Sequence, residues 1–214
     1  MGCDGYILMR PIFITLLLLL AGQTGNRQIP VGTAGYNDNF PGSSLSGNWT
    51  CYTTGTWGRP SVASNSVSSS VGVSPSVNSL CGYTGGSFGA NQTSQATVGT
   101  NGGTGYQYQG VGIHVTPASG NGYFWQGGAS GTGQLVKITA GVPTNLGGYC
   151  GAVYTAGDVI KIANVGSSIS FFKNGVQQCS SVTDSTYTTG YPGFTFGLGN
   201  SFSIVTSFGS WSGK

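Results

Sequence analysis

The 214-residue chain contains no glutamate, and its only side-chain carboxylates are Asp4, Asp38, Asp158 and Asp184. That absence bears directly on catalysis. A retaining glycoside hydrolase works with two carboxyl groups about 5–5.5 Å apart, one a nucleophile and one an acid. Asp158 and Asp184 are far apart in sequence and each stands beside Gly or Ser. They read as turn residues whose carboxylates cap backbone N–H groups, and Asp38 reads the same way. The expectation is therefore that the chain is not an enzyme. A lone histidine, His114, gives Ser or Cys chemistry neither a base–orienter pair nor a nucleophile elbow to act on. Charge is scarce too. Charged residues are 5% of the chain, and Arg10, Arg27, Arg59, Lys137, Lys161, Lys173 and Lys214 never form a run. A phosphate-tracking surface needs clustered Lys and Arg, so no nucleic-acid partner is expected.

What is present is glycine, 40 residues of it, with dense Ser, Thr and Asn and 12% aromatics. Disordered chains are usually charged and poor in aromatics. This composition instead suits an ordered β protein with many glycine turns. At 38% hydrophobic, 214 residues suffice for one sizeable core.

The N-terminus carries Arg10 and then the apolar run Pro11–Ala21. A basic residue followed by an apolar stretch of this length predicts a signal peptide over 1–24, with Met9 as an alternative start. The run is shorter than the roughly 20 residues of a comfortable membrane span, so no stable span is expected after cleavage. Residues 25–35 read as a short linker and 36–213 as the folded domain. Met1-Gly2-Cys3 is not read as an acylation signal, because Tyr6 stands where Ser or Thr is required.

Past the leader, Cys51, Cys81, Cys150 and Cys179 remain. An even count in an exported chain reads as two disulfides. Four cysteines allow three connectivities; Cys51–Cys81 with Cys150–Cys179 is favoured because each pair brackets neighbouring strands. Zinc sites want close Cys-x-x-Cys or His pairs, and these wide spacings do not supply them. Asn48-Trp-Thr and Asn91-Gln-Thr are glycosylation sequons, relevant only in a eukaryotic secretory route.

Along the chain, some twelve short β-rich runs are punctuated by Gly, with no helical periodicity outside the leader. Val111, Ile113 and Val115 alternate with Gly112 and His114, the period-2 pattern of a half-buried strand with His114 on its polar face. Asp158–Gln178 predicts a three-stranded meander, turning at Gly166-Ser167 and at Asn174-Gly175. Asn-Gly suits a two-residue type I′ turn, in which both central residues need positive φ. Gly148–Tyr154 reads as a further strand. The pattern favours an antiparallel two-sheet sandwich or jelly roll.

Asp38-Asn-Phe40 with Leu45, Gly47, Asn48, Trp49 and Thr50, and then Gly157-Asp158-Val-Ile-Lys-Ile, Asn174-Gly175-Val176, Thr183-Asp184-Ser-Thr-Tyr and Gly190-Tyr-Pro-Gly193, resemble the concanavalin A-like, laminin-G-like jelly-roll domains of secreted bacterial proteins. The similarity spans about residues 36–213. It implies an all-β, two-sheet antiparallel jelly-roll sandwich and a role in carbohydrate binding outside the cell. Relatives include glucanases, whose Glu-x-Asp-x-x-Glu strand is missing here. The resemblance alone implies calcium; three scattered aspartates do not supply its six to eight oxygens, so no cofactor or metal is expected.

Sugars are held by aromatic platforms together with amides and hydroxyls. The candidates for ligand contact are Trp57, Tyr106, Tyr108, His114, Tyr123 and Trp125. The expected partner is an extracellular glycan or polysaccharide. The alternative is a self-assembling structural subunit of a filament, sheath or coat, in which low charge removes the repulsion between copies of the chain.

Overall fold

The computed structural model describes residues 35–53, 59–69, 77–100, 107–127, 133–151, 153–198 and 207–214. The expected signal peptide, and the linker up to residue 34, lie outside the described residues, as do Trp57 and Tyr106.

Sixteen strands follow one another among the described residues: β1 (Tyr36–Asp38), β2 (Trp49–Thr53), β3 (Ser61–Ala63), β4 (Ser66–Ser68), β5 (Val77–Tyr83), β6 (Thr93–Val98), β7 (Gln107–Thr116), β8 (Asn121–Gly127), β9 (Gln134–Thr139), β10 (Val142–Asn145), β11 (Val159–Val165), β12 (Ser168–Lys173), β13 (Val176–Gln177), β14 (Val182–Thr183), β15 (Tyr191–Leu198) and β16 (Ser207–Gly213). They form two antiparallel sheets packed as a jelly-roll sandwich. One runs β13-β12-β11-β6-β16-β4-β3, with β1 on β16 and β14 on β12. The other runs β10-β9-β8-β7-β15-β5-β2.

Alternation explains the layering. On β6 and β11 every second residue is buried, and Ala96, Val98, Ile160 and Ile162 face the opposite sheet. Trp49, Tyr83, Val111, Ile113, Trp125, Phe194 and Phe196 meet them from the other side. Aromatic rings fill the middle: Trp49 lies 4.7 Å from both Phe194 and Trp211, centroid to centroid. Each fully buried Phe of this kind contributes roughly 1.5–3 kcal/mol. Asp38 anchors the opening of the domain, accepting from Trp49 Nε1 at 2.7 Å and from the Phe40 amide at 2.6 Å. β8 breaks the alternation and is buried on both faces. Its sheet carries a second apolar cluster on its other side, made of Leu80, Val115, Phe124, Val136 and Ile138.

The predicted meander is present as β11, β12 and β13. Asn174 (φ 51°) and Gly175 (φ 81°) both take the positive φ that the turn requires. Both disulfides form as expected, Cys51–Cys81 across β2 and β5 and Cys150–Cys179 between two loops.

Two expectations are corrected. The strand expected over Gly148–Tyr154 is not formed in the described residues there. Gly147, Gly148 and Gly151 (φ 87°) keep that stretch irregular, and β10 ends at Asn145. The period-2 reading of β7 fails at His114. His114 has φ 53°, and the pairing of β7 with β8 slips between Ile113 and Thr116. This β-bulge shifts the faces by one residue. Val111 and Ile113 stay in the main core, Val115 joins the second cluster, and His114 turns inward rather than onto a polar face.

Candidate functional site

The bulge at His114 is held by a buried polar network. Gln92, just before β6, accepts the His114 amide on Oε1 at 2.8 Å, and its Nε2 donates to Gly190 O at 2.8 Å and to Gly89 O at 3.2 Å. Asn164 on β11 completes the frame. Its Oδ1 accepts the Gln92 amide, and its Nδ2 donates to Ala90 O and Gly166 O, all at 2.8 Å. Gly190 runs against the bulge with φ 126°, where an added Cβ would lie 2.6 Å from the His114 carbonyl carbon. Glycine is required there both by its backbone and by the close approach.

Over this frame lies the loop that follows β14. Asp184 accepts from Tyr123 Oη and from the Thr186 amide (2.8 Å), and pairs with Lys137 Nζ at 2.9 Å. Lys137 also donates to Thr186 Oγ1 at 3.0 Å, and Tyr123 Oη accepts the Tyr187 amide at 2.9 Å. Burial alone would raise the Asp184 carboxyl. Hydrogen bonds from Thr186, Tyr123 and Lys137 outweigh it and hold the group well below the usual carboxylate range. Burial, with the Asp184 charge beside it, pushes the Tyr123 phenol up to about 12.

Two cavities flank the segment 180–188. One, of about 230 Å³, is lined by Ala90, His114, Gly166, Ser167, Asp184, Ser185, Tyr187 and Thr188. The other, of about 290 Å³, is walled by the Cys150–Cys179 disulfide with Leu135, Gly147, Gly148, Phe171, Ser180, Ser181 and Val182. Tyr149 stands at its side with 67% of its surface exposed. Ser181 Oγ is tied to Ser170 Oγ at 2.7 Å and to Gln177 Nε2 at 3.3 Å. The disulfide fixes the Tyr149 loop to the stretch between β13 and β14, so both walls are covalently joined.

The aromatics singled out from sequence fare unequally. Trp125 and Tyr123 are corrected: they are 0% and 1% exposed and belong to the main core. Trp125 packs 5.2 Å from Phe171 and 5.3 Å from Tyr154 between the sheets. Neither ring presents a face on which a sugar could stack from solvent. Tyr108 is half-buried on β7. His114 lines the smaller cavity. Asn48 and Asn91 are exposed, with Asn48 Nδ2 donating to Tyr83 Oη at 3.3 Å and Asn91 Oδ1 accepting the Gly166 amide at 2.8 Å. Sequence reasoning missed Tyr149, Gln92 and Asn164. The signal for Tyr149 was an aromatic between two glycines and a cysteine, a pattern that breaks a strand and displays the ring.

Among the described residues no three His, Cys, Asp or Glu side chains gather as metal ligands, and no helix is long and apolar enough to cross a membrane.

The chain matches no protein-family profile and no curated protein in sequence. It is similar in structure to many solved chains. One is the carbohydrate-binding module CBM66 from Bacillus subtilis, with a TM-score of 0.56 and 15% identity over 75% of this chain and 91% of that one. Another is a beta-1,3-glucanase from Mycobacterium marinum, with a TM-score of 0.54 and 10% identity over 84% and 97%. A third is a xylan beta-1,4-xylosidase from Bacillus halodurans, with a TM-score of 0.53 and 13% identity; it covers 83% of this chain, which spans only 38% of that one. At these identities the likeness shows the fold alone, a two-sheet jelly-roll sandwich.

It also overturns the expectation that the chain is not an enzyme. Structures matched over nearly their whole length are named as a glycosyl hydrolase family protein, a beta-1,3-glucanase and a putative beta-glucanase, so the fold does not exclude an enzyme. The missing glutamate was the ground for excluding it, and that ground is too narrow, because aspartates also serve as the paired carboxylates of such enzymes.

Proposed function

We propose that this chain is an extracellular carbohydrate-binding β-sandwich protein, and that it meets its glycan at the cavity beside Tyr149. The observation that carries the reading is the Tyr149 ring itself, 67% exposed at the side of a 290 Å³ hollow whose wall includes Ser180 and Ser181. A phenol presents an apolar face to the C–H side of a sugar ring, while neighbouring hydroxyls and backbone groups take the sugar's hydroxyls. The Cys150–Cys179 bond pre-orders this wall, lowering the ordering cost that a flexible loop would impose on binding. The fold shared with a carbohydrate-binding module supports the reading. Export is proposed with it. Two disulfides belong to an oxidising compartment, and the apolar run after Arg10 reads as a leader.

The test is retention of the purified protein by insoluble polysaccharides, including β-1,3-glucan and xylan, with reducing-sugar release followed in the same tubes. Retention by at least one polysaccharide supports binding, and sugar release would add hydrolysis to it. No retention on any of them, with ordered polymers in electron micrographs instead, would replace the proposal with the self-assembly reading. N-terminal sequencing of the protein recovered from culture medium tests export.

A further inference from the structure

The smaller cavity shares no lining residue with the one beside Tyr149, and it carries an unanswered polar atom. His114 is the chain's only histidine, is 2% exposed, and lines that cavity. Its Nδ1 has no hydrogen-bond partner. An unpaired buried polar atom is destabilising, so a fold that keeps one beside a cavity has left a valence for something that enters.

The ring's state follows from its surroundings. Burial lowers its pKa, which favours the neutral ring. A neutral imidazole carries its proton on one nitrogen and a lone pair on the other. With the proton on Nε2, Nδ1 presents a lone pair, and the group that enters to meet it is a donor.

The other walls say what kind of donor. Asp184 is the only formal charge in the lining, and Lys137, Tyr123 and Thr186 already occupy its oxygens. A cation gains little from it, and no Lys or Arg lines the cavity to hold an anion. Ser167, Ser185, Tyr187 and Thr188 are neutral, and Ala90 and Gly166 add a small apolar and backbone surface. A space of about 230 Å³ is of a size for one sugar ring.

We infer that this cavity is a second binding site, separate from the Tyr149 wall, for a single neutral polyhydroxyl molecule of monosaccharide size, one hydroxyl of which donates to His114 Nδ1. Gln92 and Asn164 are positioning residues: they hold the bulge and the ring while touching no ligand. Protonation of Nδ1 removes the acceptor, so binding weakens as pH falls through the His114 pKa. The titratable groups around the ring are Asp184, Tyr123, Lys137 and Tyr187; hydrogen bonds hold Asp184 well below the usual carboxylate range, and burial pushes Tyr123 up to about 12.

A lone histidine makes the test direct. In the 15N-labelled full chain, long-range 1H–15N spectra report one imidazole. D-glucose, D-galactose, D-mannose, D-fructose and glycerol are titrated in turn. The expected result is an Nδ1 resonance typical of an unprotonated acceptor that at least one monosaccharide moves saturably. The Tyr149→Ala variant should give the same titration curve. His114→Asn, a side chain that tolerates positive φ, should keep the melting temperature and weaken that monosaccharide's binding at least tenfold, read by calorimetry. A protonated Nδ1, or an imidazole signal that no sugar or polyol moves saturably, overturns the inference and leaves a water-filled cavity only. Because polysaccharide retention and the imidazole signal are separate readouts, failure of one does not carry the other with it.

Discussion

Gln92 Oε1 accepts the backbone N–H of His114 at 2.8 Å, and Nε2 of the same side chain reaches Gly190 O at 2.8 Å. One buried amide thereby ties the start of β6 to the bulge in β7 and to the entry of β15. Gln92→Leu keeps most of the volume but leaves the His114 amide and the Gly190 carbonyl without these partners. The expected loss is about 2–4 kcal/mol in urea unfolding. A loss below about 1 kcal/mol would mean that water replaces the amide and that the bulge is not held by it.

Gly193 on β15 pairs with Gly82 on the neighbouring β5, and a Cβ there would overlap the carbonyl oxygen of Cys81. Gly193→Ala should fail to fold or lose more than about 3 kcal/mol, since backbone cannot give way as a side chain can. Gly47→Ala is the control, because nothing lies within 4 Å of its added methyl. Thermal melts of the two variants should separate widely; similar melting temperatures would contradict the packing of β15 on β5.

Asp158 predicts acid sensitivity. Burial would raise its carboxyl, but Lys173 at 2.8 Å, with Thr155 and Asn174, brings it down to about 2. A carboxyl lowered in the folded state contributes stability above its unfolded pKa and loses it as pH falls through the folded one. Asp158→Asn should therefore be less stable than wild type by on the order of 2 kcal/mol at pH 7. That gap should close between about pH 4 and about pH 2. Asp184→Asn should behave in the same sense. A gap independent of pH would show that the ionised carboxylates do not carry the effect.

The two disulfides close loops of similar length, with sequence separations of 30 and 29. Replacing either pair by serine should cost about 3–4 kcal/mol in the chain-entropy account. Only the Cys150/Cys179 pair walls the Tyr149 cavity, so only its removal should weaken polysaccharide retention. Equal effects on retention would show that the losses reflect stability alone.

How much of this was legible in the sequence depends on range. The Asn174-Gly175 turn, the disulfide pairing and the two-sheet class follow from local signals: φ preference, cysteine count and alternation. His114 was placed on the wrong face because alternation assumes an unbroken ladder. The bulge that breaks it is made by Gln92 and Gly190, which are distant in sequence. Trp125 and Tyr123 were read as ligand platforms because an alternating aromatic strand looks the same whether its rings face a glycan or the opposite sheet. Burial against Phe171 and Tyr154 decides that, and burial is a tertiary property. Tyr149 lies in a stretch whose residues read as a strand, and the glycines before it are the local sign that it is a loop. The carboxylate reading is divided. The aspartates do cap turns, as their Gly and Ser neighbours suggested, yet excluding catalysis on that basis went further than the shared fold allows.

The most direct measurement is affinity electrophoresis of wild type and Tyr149→Ala through gels containing whichever polysaccharide retains the protein. Tyr149 is mostly exposed, so the variant should melt within about 2 °C of wild type, as surface substitutions generally do. The account predicts that wild type is retarded and that the variant runs as it does in a gel without polysaccharide. Equal retardation of the two proteins would contradict it.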